Sequence, residues 1–330
     1  MWGQSHDRSG TLRIHLLYAS VPGSNTLLRR DQKGLVTYHF ESLPVDCLVH
    51  AVFTRLGGVS AAPWAALNVG HTVGDDPQAV TENHNRIYVH LDLGAGQVVT
   101  PNQVHGNHVA RAGTDEGGQT IAATDGLVTN TPGLGLLLRF ADCQPILLYD
   151  PIRHALGLIH AGWRGVAQAI ARRAVETMQA QFGSRPRDLL AGLGPAIGPC
   201  CYTVGENVAA AMGYVLPDWE KALEAEGEGQ TWKLNLSEAN AQLLKAAGVR
   251  KIEQAGLCTS CHTDEFYSHR AEQGQTGRFA AVAYLLPRDA PGGRWEAESL
   301  SAETDTDDLR AYSLNPPGFP GFGESSGGRQ

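Results

Sequence analysis

The sequence predicts a mixed α/β domain. Short apolar runs of strand length, broken by Gly and Pro, crowd the stretch from residue 126 to residue 163. They alternate along the chain with segments whose apolar residues recur every four positions behind recognisable caps. Polar, Gly-containing ends frame this body, so the expected organisation is an N-terminal tail (1–34), one folded domain (35–288) and a C-terminal tail (289–330). The last 42 residues hold seven Gly, four Pro and eight acids against three Arg, a composition too poor in apolar side chains to offset the entropy of ordering.

The elements follow in order. CLVHAVFT (47–54) reads as a strand. Asp76 before Pro77 is a helix start, because an Asp side chain caps free N–H groups and Pro fits the first turn; the helix is expected to reach about His90. GLVT, LGLLLRF and PILLYD (126–150), then ALGLIHAGW (155–163), read as strands of a buried sheet. After Gly165, the residues Val166, Ile170, Ala174 and Met178 mark one face of a continuous helix that Gly183 ends. Another helix begins after Asn235, paired with Glu238 as a capping box, and stops at Gly248. IEQAGLCT and RFAAVAYLL close the domain as strands, and no internal repeat is apparent.

Composition narrows the function. With 42% hydrophobic and 18% charged residues the chain reads as soluble and globular. No run approaches the ~18 apolar residues of a membrane span, and the N-terminus lacks a signal-peptide pattern, so a cytoplasmic protein is expected. A net charge of −8 disfavours nucleic acid as a partner and favours small molecules. Thirteen His and six Cys are the unusual residues, and in a reducing compartment cysteines serve metals or chemistry more than disulfides.

Three loops each deliver one candidate ligand: His105 in PNQVHG, Cys143 in FADC and His160 in IHAGWRG. Two imidazoles and a thiolate suit zinc, and three protein ligands leave the open position of a catalytic site. The same Cys143 and His160 also fit a thiolate nucleophile with its base, and spacing does not separate the two. Arg55 beside the Gly pair of TRLGGVS and Arg164 beside Trp163 are candidates for binding an anion such as phosphate. CTSCH (258–262) has the spacing of a haem attachment or half a zinc knuckle. With neither an export signal nor a second CxxC, Cys258 and Cys261 are expected as strand-end residues, and the adjacent Cys200 and Cys201 as packing residues.

Taken together, TRLGGVSAAPWAALNVG, VGDDPQAVTEN, NQVHG, TDGLVTN, ADCQPILLYD, HAGWRG, GPAIGPCCYTVG, LNL, LCT and FYSHR with the GR of 277–278 resemble, in order, the YfiH-like or laccase-domain family. The resemblance spans about residues 53–284. It implies a single layered domain of mixed sheets covered by helices, with zinc on His105, Cys143 and His160. It also implies phosphorolysis of purine nucleosides (adenosine, inosine, guanosine and methylthioadenosine) and deamination of adenosine. A copper-dependent phenol oxidase, the family's older label, and a cysteine hydrolase acting on cell-wall precursors are the rival activities. Whether the chain is a monomer or a homodimer is left open. The chain departs from the family pattern at His84, Thr203 and Ala271 while keeping Ser268 and Arg270, which bears on substrate orientation.

Overall fold

A computed structural model describes residues 27–227 and 230–288. The N-terminal part contains β1 (Leu28–Gln32), β2 (Leu35–His39), β3 (Leu48–Phe53), α1 (Pro77–His90), β4 (Val98–Pro101), β5 (Val109–Arg111) and β6 (Thr120–Ile121). The central part runs through β7 (Gly126–Thr129), β8 (Gly135–Phe140), β9 (Gln144–Asp150), β10 (Ala155–Ala161), α2 (Trp163–Ala167), α3 (Ile170–Phe182) and β11 (Leu190–Leu193). There follow β12 (Thr203–Gly205), α4 (Glu206–Val215), α5 (Trp219–Ala222), β13 (Leu223–Glu226), β14 (Thr231–Leu234), α6 (Leu236–Ala246), β15 (Lys251–Gln254) and β16 (Phe279–Leu285).

Two sheets stack between helices. The first has the order β1-β2-β3-β16-β8-β4-β6 and the second β15-β11-β9-β10-β7-β5, with a small third sheet β12-β14-β13 beside them. Side-chain alternation explains the layering, since successive residues of a strand face opposite sides. In β9, Leu147 and Tyr149 join Leu136, Leu138 and Phe279 between the two sheets. Ile146 and Leu148 of the same strand face Ile170, Ala174 and Met178 of α3 and Leu244 of α6. On the far side of the first sheet, Leu137, Ala280 and Val282 pack with Ile87 of α1. Strands covered on both faces require unbroken apolar runs, which is why PILLYD and LGLLLRF lack polar alternation.

The expected helix starts are present: Asp76 accepts from Gln78 N at 2.9 Å, and Asn235 accepts from Glu238 N at 3.1 Å. Two expectations change. The continuous helix after Gly165 is two helices, because Ala169 adopts a left-handed conformation (φ 55°) between α2 and α3. Val166 and Ile170 are buried on either side of that break, so the apolar spacing survives it and conceals it. The boundary at residue 35 falls after β1, whose five residues pair with β2 across a turn at Lys33 and Gly34, both with positive φ. The tail expected at 289–330 and residues 1–26 lie outside the described residues. No helix among the described residues is long and apolar enough to cross a membrane.

Candidate metal centre

The sheet register solves the spacing problem of the three ligands. β9 and β10 form an antiparallel hairpin in which Gln144 faces Ala161 and Pro145 faces His160. Cys143 therefore emerges at the open end of the hairpin beside Gly162, although 17 residues separate it from His160. On the other flank of β10, Ile159 pairs with Gly126 of β7, which sets Asp125 next to His160. β5 runs parallel to β7, and the loop preceding it carries His105. The result is that one donor atom from each of His105, Cys143 and His160 lies within 4.8 Å of the others, with His160 buried and His105 exposed.

Asp125 organises the group and was not singled out by the sequence reading. Its fully buried carboxylate accepts the backbone N–H groups of Val104 (3.1 Å), His105 (2.9 Å) and Gly106 (2.8 Å) and pairs with His160 Nδ1 at 2.9 Å. The left-handed backbone at His105 (φ 60°) curls these three N–H groups toward one anion, a strain of about 1–2 kcal/mol for a non-glycine residue. With Nδ1 held by the carboxylate, His160 presents Nε2 to the cluster, the arrangement in which an outer carboxylate orients a ligating imidazole.

Electrostatics agree with this wiring. Burial alone would raise the Cys143 thiol, but the His160 charge and hydrogen bonds from both histidines outweigh it and bring the thiol down to about 6. Burial would lower His160, yet the Cys143 charge and the Asp125 hydrogen bond raise it to about 9. Burial likewise disfavours ionised Asp125, and His160 together with the backbone N–H groups more than offsets this, holding the carboxyl below its ordinary range. The metal-free pair is thus thiolate and imidazolium at neutral pH, and a cation must displace the His160 proton to bind. Metal affinity is therefore expected to climb about tenfold per pH unit between about 6 and about 9 and then level off, checked by competition with a chromophoric chelator at several pH values.

Space at the cluster depends on Gly162. A Cβ there would lie 2.6 Å from Cys143 Sγ and 3.5 Å from His105 Cδ2, so only glycine lets the sulfur approach. Gly162→Ala is expected to weaken metal binding by roughly 10–100-fold, the effect of displacing a ligand's support, while the melting temperature changes little. Zinc stoichiometry after dialysis would measure it.

The two arginines expected at the site fare differently. Arg55 is committed elsewhere: it donates to Ala65 O and Thr263 O, pairs with Glu272 at 2.9 Å and lies over the Tyr267 ring. Arg164 is exposed, stacks over Trp163 at 4.8 Å, and none of the described residues accepts a hydrogen bond from its side chain. Two further residues surround the cluster. Burial depresses Arg278, and the Cys143 and Asp142 charges partly restore it. Burial and the Cys143 charge push the Tyr202 phenol far above its usual range, and Arg270 lies over its ring. A groove of about 380 Å³ between the β1–β2 turn and α1, lined by residues such as Lys33, Glu82 and Arg86, includes none of these groups.

The other cysteines, expected as separate packing and strand-end residues, are brought together by the fold. Cys200, Cys201, Cys258 and Cys261 also gather, with their four sulfurs within 4.8 Å of one another. An isolated parallel bridge between Ala196 and Cys258 supplies the second pair that sequence spacing lacked.

Residues 49–286 match the family described as multi-copper polyphenol oxidoreductase laccase. The chain belongs to that family. It is 42% identical over 252 residues to a purine nucleoside phosphorylase of Deinococcus radiodurans, covering 75% of this chain and 93% of that protein. It is 38% identical over 247 residues to the purine nucleoside phosphorylase YlmD of Geobacillus stearothermophilus, covering 72% of this chain and 90% of that one. The crystal structure of YlmD from Geobacillus stearothermophilus superposes with a TM-score of 0.76 at 34% identity, over 79% of this chain and 100% of that chain. The YfiH structure from Bacillus licheniformis does so with a TM-score of 0.74 at 35% identity, over 78% of this chain and 99% of that chain.

Proposed function

We propose that this chain is a zinc-dependent purine nucleoside phosphorylase that also deaminates adenosine, with His105, Cys143 and His160 as the metal ligands. The observation that carries the reading is their convergence around an Asp125-locked His160, in a chain 42% identical to a protein named purine nucleoside phosphorylase. The donor set fits: two imidazoles and a thiolate suit zinc and leave one position open. A bound zinc would supply Lewis acidity at that open position.

In phosphorolysis, a phosphate oxygen bonds to the sugar C1′ as the C1′–N9 bond breaks, and the electron pair leaves with the purine. The substrates are adenosine, inosine, guanosine and methylthioadenosine, and the products are free base and the sugar 1-phosphate. In this reading Arg164, with Arg278 whose guanidinium also donates to Thr276 O and Gly277 O, balances the phosphate charge, whereas Arg55 is paired with Glu272. Tyr202 stays protonated at neutral pH and can donate to the base, while the half-buried Trp163, next in the chain to Gly162, offers an aromatic ring. Deamination exchanges the purine amino group for a water oxygen and releases ammonia. Metal-replete protein given adenosine and phosphate is expected to yield adenine, ribose 1-phosphate and inosine, and the absence of all three would end the proposal.

One observation favours a second reading. Cys143, His160 and Asp125 stand in the order of a nucleophile, its base and the base's carboxylate, as in a cysteine hydrolase. Zinc bound one-to-one at this cluster would occupy the thiolate that such a reaction needs. The copper reading fits the residues less well: multicopper oxidation relies on many clustered histidines, and among the described residues this cluster contains only two.

A further inference from the structure

We propose that Cys200, Cys201, Cys258 and Cys261 form a second metal site, a closed zinc tetrathiolate that staples two loops behind the first site. Four sulfurs bound at about 2.3 Å to a tetrahedral zinc stand about 3.8 Å apart. Here Cys261 Sγ lies 3.5 Å from Cys200 Sγ and 3.4 Å from Cys201 Sγ, and all four sulfurs are within 4.8 Å of one another. A disulfide would need one pair at about 2.05 Å and would leave two thiols without a role.

The backbone around the sulfurs leaves them room and a polar contact. The Gly198 N–H donates to Cys258 Sγ at 3.2 Å. A Cβ on Gly198 would stand 3.2–3.5 Å from Cys258 Cβ, Cys200 Sγ and Cys258 Sγ, so the glycine keeps the interior of the cluster clear. Each loop is a tight turn, closed by Cys201 N to Gly198 O at 3.0 Å and by Cys261 N to Cys258 O at 3.2 Å. Cys200 and Cys261 are exposed, so zinc can reach the site, and each ligating thiol gives its proton to solvent.

Four protein ligands leave no open position, so this metal does no chemistry of its own; its effect is on position. Thr259, next to Cys258, donates to Asp142 Oδ1 at 2.7 Å, and Ile197 N donates to Asp142 O at 2.9 Å. Asp142 precedes Cys143 and holds a left-handed backbone (φ 79°). Both stapled loops therefore grip the residue that aims the first site's sulfur.

The test uses full-length protein in two forms. Cys143→Ser disables the first site and keeps all four sulfurs, and it is expected to retain one zinc per chain through dialysis. X-ray absorption should show four sulfur neighbours at about 2.3 Å. Cobalt substitution should give the intense thiolate charge-transfer bands of a four-sulfur site, absent from Cys201→Ser/Cys261→Ser. A Cys143→Ser protein without zinc, zinc with fewer than three sulfurs, or a mass two hydrogens short from a disulfide among these four residues would each overturn the proposal. None of these readouts depends on nucleoside turnover, so the site stands or falls separately from the proposed activity.

Discussion

Replacing Cys143 with alanine is expected to empty the first metal site and to lower phosphorolysis by on the order of 10³-fold, the scale seen when a central electrostatic contributor is removed. The thiolate is the only anionic member of the cluster, so its loss leaves two neutral imidazoles, one of them exposed, to hold a dication. The fold should survive, because Asp125 still satisfies His160 and three backbone N–H groups without the sulfur. His160 itself should titrate lower, since the Cys143 charge is the largest influence raising it. Cys143→Asp separates the chemical readings. A carboxylate oxygen is an acceptable zinc ligand, so partial zinc content and partial phosphorolysis are expected to return together. A nucleophilic thiol has no such substitute, and an alanine variant that kept full activity would remove Cys143 from the reaction altogether. Zinc content and rates of base release on the same preparations provide the comparison.

Much of the fold was legible because buried strands and capped helices leave local marks. PILLYD, ALGLIHA, Asp76-Pro77 and Asn235 with Glu238 each announce an element within a few residues. What local pattern does not contain is which strand lies beside which. The separations between His105, Cys143 and His160 become meaningful only when β9 and β10 pair as a hairpin and β7 lies on the far side of β10. Spacing alone could therefore nominate these three residues, and the family resemblance was needed to join them. Asp125 stayed hidden because an Asp before Gly reads as a turn residue; its signal was the position, at the mouth of the wholly buried strand GLVT. β1 was missed because LRRDQ is charged, although the Lys-Gly turn after it is a hairpin mark. The four-cysteine cluster escaped for the same topological reason as the first site, with an adjacent pair in one loop and a CxxC in another.

Asp125→Asn is the second large effect expected, and it should strike stability and metal binding together. All four groups bonded to the carboxylate are donors: three backbone N–H groups and His160 Nδ1. An asparagine offers one acceptor oxygen and turns an NH₂ toward at least one of those N–H groups, leaving buried donors facing each other at a cost of about 2–4 kcal/mol. Since Asp125 is fully buried, water cannot relieve the mismatch. The pH dependence has a definite sign. The folded carboxyl lies below its ordinary value of 3.8, so its contribution is complete above that pH and is lost as the pH falls toward and through the depressed folded pKa. Wild-type protein should accordingly lose stability on acidification below about 4, and Asp125→Asn, already lacking the carboxylate, should lose less over the same interval. Metal affinity should fall by roughly 10–100-fold, because His160 is no longer locked with Nε2 toward the cluster. Chemical denaturation at several pH values, with zinc titration at neutral pH, measures both. A variant matching wild type in stability and in affinity would show that the carboxylate neither supports the His105 loop nor orients His160.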